Sequence, residues 1–225
     1  IGCLYPTNTW DMPAYLVLGV VAVLYTGLRY TFNELQSVSS GTKWLLKLLV
    51  SAAASLAVVL LAFLLYRPFS QWFVQAYNSV DVWKGDHTAI WDYLTHWGVF
   101  LFIIFSWMLW ETIDWMDKTP LSHIRKLLPF SGLILMGLSS FCVAVIVLMV
   151  MGVDIAWLVL LLALWALILI LRPGQADIKR FVLFLIGSAL VMTLAVELVN
   201  LKGDIGRMNT VFKFYLQAWS LFAIS

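Results

Sequence analysis

FSGLILMGLSSFCVAVIVLMVM, from Phe130 to Met151, contains no charged residue. A helix needs about 20 apolar residues to cross the hydrocarbon core, and it satisfies its own backbone hydrogen bonds there. The stretch therefore predicts a transmembrane helix, and the same reading extends outward in both directions. Upstream, the runs Pro13 to Phe32, Trp44 to Tyr66 and Trp91 to Glu111 predict three further spans; downstream, Asp154 to Leu171 and Phe181 to Asn200 predict two more. A seventh begins near Thr210 and is still apolar at Ser225. The expected fold class is all-α: a polytopic transmembrane helical bundle of about six spans plus the start of a seventh, forming one transmembrane domain over residues 1–225.

Composition agrees, because 63% of the 225 residues are hydrophobic and 12% charged, with a mean hydropathy of +0.94. A soluble domain has no interior large enough for that apolar surface, so an integral membrane protein with lipids as immediate partners is expected. A net charge of +2 gives no basis for a nucleic-acid partner. Ile1 is not an initiator methionine, no signal peptide precedes the polar Pro6 to Asp11 stretch, and the far end is still apolar, so the chain reads as an internal piece of a longer protein. Cys3 precedes the first span and Cys142 lies within the fourth, which argues against a disulfide between them; no metal-ligand or redox motif accompanies either, and no cofactor is expected.

Charge distribution sets the expected orientation. Arg29, Lys43, Lys47, Lys118, Arg125, Lys126, Arg172, Lys179 and Arg180 flank one face, against Arg67, Lys84, Lys202, Arg207 and Lys213 on the other. The richer face is expected to be cytoplasmic, placing the Asn8-to-Asp11 end and the loops around Asp86 and Arg207 outside, in a prokaryotic plasma membrane. Between the second and third spans, Phe69, Trp72, Phe73, Ala76, Tyr77 and Val80 recur at helical spacing, with Ser70, Gln71, Gln75, Asn78 and Ser79 on the other side. That pattern predicts an amphipathic helix starting after Pro68 and lying in the interface, as an anchor or as a lid over an outer site.

Candidate site residues gather on the side expected to be outside. Asp92 and His96, four apart on one helix face, offer an oxygen and a nitrogen to a metal or a substrate. Asp92 equally serves as a first-turn acid of the third span, and without a denser cluster such as HExxH the structural role is favoured and no metal site is assigned. Asp11, Asp86, His87, Asp92, His96, Glu197 and Asp204 together mark a polar pocket. Glu111, Asp114 and Asp117 read as a wet helix end beside Lys118. Glu197 stands about one turn inside the sixth span, where an unpaired carboxylate is costly, and pairing with a neighbouring cation is the simplest account. In GDIGRMNTVFKFYLQAW, Gly203 to Trp219, Arg207 and Lys213 stand at the start of the seventh span with Asn209 as its expected cap. Thr210, Lys213 and Gln217 form a polar stripe running into the membrane. A helix N-terminus with two cations is a natural seat for an anion such as phosphate; a structural anchor is the alternative.

NTWDMPAY, Asn8 to Tyr15, and RMNTVFKFYLQAW, Arg207 to Trp219, resemble signature segments of a family of very hydrophobic, mostly archaeal and Chloroflexi membrane proteins of unknown function, called YYY-type. That family is similar to GT-C glycosyltransferases. The resemblance implies a polytopic enzyme using a polyprenyl-phosphate sugar on the extracytoplasmic side, with Arg207 and Lys213 at the lipid phosphate. The acidic catalytic residue of GT-C enzymes lies in a first outer loop that this chain lacks, so the resemblance implies the middle part of such a protein rather than its catalytic end. A transporter, or an accessory subunit that meets other membrane subunits, are the alternatives; the former requires charged or broken helices near mid-membrane, whereas here charges cluster at span ends.

Overall fold

The computed structural model describes residues 1–31, 40–73, 79–201 and 207–225, which fall into two compact units, Ile1–Ala76 and Tyr77–Ser225. Among the described residues the chain is almost entirely helical, with one short pair of strands. Five helices are long and apolar enough to cross a membrane, and the protein is an all-α, multi-pass membrane protein.

The first unit contains α1 (Leu4–Thr7), α2 (Asp11–Tyr30), α3 (Ser40–Leu64) and α4 (Arg67–Trp72). Helices in lipid gain little from the hydrophobic effect when they meet, so small residues that admit close backbone approach decide where they touch. Gly27 of α2 lies against buried Ser51 of α3, where a Cβ would stand 2.2 Å from the serine Oγ. Ser51, Ser55 and Ala62 are the buried residues of α3, and Lys47 Nζ donates to the Leu28 carbonyl at 3.2 Å. The apolar remainder of α3 is exposed, as expected of a surface facing lipid.

The helix expected after Pro68 is shorter than its periodicity suggests. α4 begins at Arg67 with Pro68 in its first turn, and Phe73 is already extended. Phe69 stacks on Phe73 and meets Tyr5 edge-on. Ala76 and Tyr77 lie outside the described residues, and Val80 belongs to a strand rather than to this helix. The β-branched run that reads as the end of a helix is consumed by backbone pairing with a distant segment.

That segment defines the second unit, which runs β1 (Val80–Val82), α5 (Ile90–Lys118), a 3-10 helix (Leu121–Phe130), α6 (Ser131–Val150), α7 (Ala156–Leu171), α8 (Asp177–Leu198), β2 (Val199–Leu201) and α9 (Arg207–Ile224). β1 pairs antiparallel with β2, Val80 opposite Leu201 and Val82 opposite Val199, and Trp83 N–H extends the ladder to the Leu198 carbonyl at 2.8 Å. The core is made by α7, α8 and α9. Ala156, Val159, Leu162, Ala166 and Leu169 give α7 one buried stripe against α8. α5 buries Tyr93, Trp97, Leu101, Ile104, Met108 and Glu111, each three or four residues after the last, which is a single helix face. α6 buries no residue, consistent with apolar side chains all round its circumference. α7 has 16 residues, about 24 Å at 1.5 Å per residue, so it is shorter than the hydrocarbon core although the sequence reads as a full span. Gly152 (φ 90°) and Gly174 (φ 77°) take the left-handed conformation in the turns on either side of it.

A buried carboxylate cluster at the α8–α9 end

The strand pair has a direct consequence for the polar residues. By holding Val80–Val82 against Val199–Leu201, it lays the following loop, through Thr88, over the end of α8 and the start of α9. Glu197, in the last turn of α8, has a fully buried side chain. Its Oε2 accepts from the Thr88 backbone N–H at 3.0 Å and its Oε1 accepts from Thr88 Oγ1 at 2.6 Å. Arg207 Nη2 ion-pairs with Oε1, and His87 Nδ1 lies 3.4 Å from Oε2. The buried acid near the end of α8 thus carries a cation and two hydrogen bonds, which is what offsets its burial.

Arg207 is held on every side. Nε donates to the Val196 carbonyl at 3.3 Å, Nη1 to the Asp86 carbonyl at 2.5 Å, and Nη2 to Thr88 Oγ1 at 3.1 Å and to Glu197. The Trp83 ring stands 5.4 Å from the guanidinium carbon, and Trp83 Nε1 donates to the Asp86 carbonyl at 3.0 Å. A guanidinium has five N–H donors; four are engaged here, leaving one on Nη1 among the described residues. Asp86 therefore serves through its carbonyl, while its carboxylate is on an exposed residue.

The remaining sequence candidates separate. Asp92 lies in the first turn of α5, as a helix-start acid should, and is exposed. His96 is exposed on the next turn, 4.6 Å from the Trp97 ring and 5.4 Å from the Tyr215 ring. Among the described residues no three of His, Cys, Asp and Glu converge as metal ligands would. Asp11 lies in the first turn of α2, in the other unit. Asp204 and Lys202 lie outside the described residues.

On α9 one expectation is corrected. The helix begins at Arg207, so Asn209 stands within the first turn and cannot be the cap. The residue that ties the start of α9 down is Thr210: its buried hydroxyl donates to Asn200 Oδ1 at 2.8 Å and accepts from the Leu201 N–H at 3.0 Å. Gln217 is buried further along the helix and Lys213 is half-buried. Lys213 follows Arg207 by six residues, about 120° around the helix at 100° per residue. The two cations therefore leave α9 in different directions.

A second expectation fails at the opposite end of the unit. Glu111 is no wet helix end: its side chain is fully buried and ion-pairs with both Arg172, at 3.2 Å, and Lys179. Arg172 Nη1 also donates to the Glu111 carbonyl at 2.9 Å. The signal was in the sequence, since Glu111 continues the three-and-four spacing from Tyr93 and so occupies a core position. Thr88 and Trp83 carry no comparable signal, because their roles arise from the strand pairing.

No curated protein and no solved structure matches the chain. A family model described as "Uncharacterized membrane protein (DUF2298)" matches residues 1–222. The chain, a multi-pass membrane protein with buried ion clusters at its helix ends, belongs to the DUF2298 family.

Proposed function

We propose that this chain is the helical body of a GT-C-like glycosyltransferase that uses a polyprenyl-phosphate sugar at the membrane face where α8 ends and α9 begins. The observation that carries the reading is the state of Arg207: a guanidinium immobilised by Glu197, Thr88 and two backbone carbonyls, with one N–H uncommitted among the described residues, beside the first-turn N–H groups of α9. Pre-positioned donors at a helix start suit a phosphate oxygen, and a fixed cation loses little freedom on binding. Glu197 neutralises much of the charge, so the second cation matters. In this reading Lys213 supplies it from a different side of α9, about 120° round the helix from Arg207, with Asn209 and Gln217 on the same helix; Asp86, His87, Asp92 and His96 are further polar groups of the same unit.

A structural reading, in which the chain is a scaffold within a larger membrane assembly, is favoured by one specific fact: four of the five Arg207 donors are spent inside the protein. Binding of a polyprenyl phosphate to the purified chain in detergent separates the two. Lys213→Ala should weaken binding about fivefold, the loss for one cation at a membrane surface, while the protein still folds. Equal binding by wild type and Lys213→Ala leaves the scaffold reading standing.

A further inference from the structure

We propose that the end of the second unit where α5 and α7 finish and α8 begins binds a phosphate group, supplied by an anionic lipid headgroup, through Lys179 and Arg172. The inference is independent of the sugar-transfer reading, since it concerns the opposite end of α8. Two cations converge there on one fully buried carboxylate, Glu111, so the triad carries one positive charge in excess. The neighbouring carboxylates have cations of their own: Asp114 feels Arg172 and Lys179 but ion-pairs with Lys118, and Asp177 ion-pairs with Arg180, while Asp117 lies about 120° around α5 from Glu111. A partly buried surplus cation is stabilised by an anion.

A second observation points the same way. Gln175, in the α7–α8 turn between Arg172 and Lys179, is 3% exposed, and among the described residues neither its amide nitrogen nor its amide oxygen has a protein hydrogen-bond partner. Buried amides in native proteins are normally satisfied, and an unpaired one marks a place where a further group belongs. Phosphate oxygens are acceptors for such a donor and for ammonium and guanidinium alike. Lys179 has the access required: its side chain is 33% exposed and its ammonium lies 5.1 Å from the ring of Trp110, itself an exposed aromatic. A lysine and a tryptophan at the end of apolar helices occupy the depth at which lipid headgroups lie.

The test uses the whole chain in mixed micelles of phosphatidylcholine, with or without phosphatidylglycerol at equal total lipid, reading the melting temperature and the phospholipids retained in native mass spectrometry. Wild type should melt higher with phosphatidylglycerol and retain it in preference. Lys179→Gln leaves Glu111 paired with Arg172, so it should fold, melt lower in phosphatidylcholine for the loss of one buried ion pair, and retain phosphatidylglycerol about fivefold less; Lys179→Arg should restore both. Lys118→Gln, at an exposed pair, should behave as wild type. If Lys179→Gln does not fold, wild-type preference decides: phosphatidylglycerol displaced by raised salt supports the site. No preference in wild type, or one that survives Lys179→Gln, overturns the proposal. Inorganic phosphate added to phosphatidylcholine micelles should not reproduce the rise; if it does, the lipid source is overturned and the site takes soluble phosphate.

Discussion

Replacing Glu197 by alanine tests the clasp at the α8–α9 end most directly. The carboxylate is fully buried and meets Arg207, the Thr88 N–H and the Thr88 hydroxyl. Removing one partner of a buried ion pair costs about 3–5 kcal/mol, chiefly because the other charge stays behind. Arg207 retains 15% side-chain exposure and two backbone carbonyl acceptors, which places the ionic loss near the bottom of that range. The orphaned Thr88 N–H adds about 1 kcal/mol or more if water does not reach it, so a total of roughly 3–5 kcal/mol is expected. Glu197→Gln keeps an acceptor oxygen and the volume, so about half that loss is expected of it. Reversible unfolding in mixed micelles gives the stability, and hydrogen exchange gives the location: the Thr88 amide should be protected in wild type and exchange rapidly in Glu197→Ala. A double-mutant cycle with Arg207→Gln should return a coupling of about 1–3 kcal/mol. If Glu197→Ala changes stability by less than about 0.5 kcal/mol and leaves Thr88 protected, the clasp does not hold the loop and the reasoning fails.

In the first unit, Gly27→Leu should separate α2 from α3, because even a Cβ there would stand 2.2 Å from Ser51 Oγ; overpacking of this kind costs about 1–3 kcal/mol, and an unchanged melting temperature would contradict the packing. Thr210→Val should lower stability by about 1–3 kcal/mol through the orphaned Leu201 N–H, with Thr210→Ser nearly silent; equal melting of the two variants would rule out the hydroxyl's role. With Cys3 and Cys142, both exposed, first changed to serine, single cysteines at Asn8 and Lys84 should react with an impermeant thiol reagent outside intact cells, whereas cysteines at Thr119 and Lys126 should not. Reversed labelling would refute the orientation drawn from the cation count.

The helices themselves were legible in the sequence, since uncharged runs of span length admit one backbone solution in lipid. So was the need for Glu197 to find a cation, because hydrocarbon penalises an unpaired carboxylate wherever the chain goes. The identity of partners was not. Arg207 and Glu197 are ten residues apart and their pairing was within reach of a local argument, but Thr88 meets Glu197 across 109 residues. That contact follows from three-residue strands too short to show a period. Glu111 looked solvated because its neighbours Asp114 and Asp117 are polar, yet α5 turns the Glu111 side chain inward onto Arg172 and Lys179. Composition and span length therefore determined the class of molecule from the sequence alone, because they report transfer energies summed over many residues. Tertiary structure alone decided which charges neutralise one another, because an ion pair depends on a few ångströms between elements that the chain brings together only on folding.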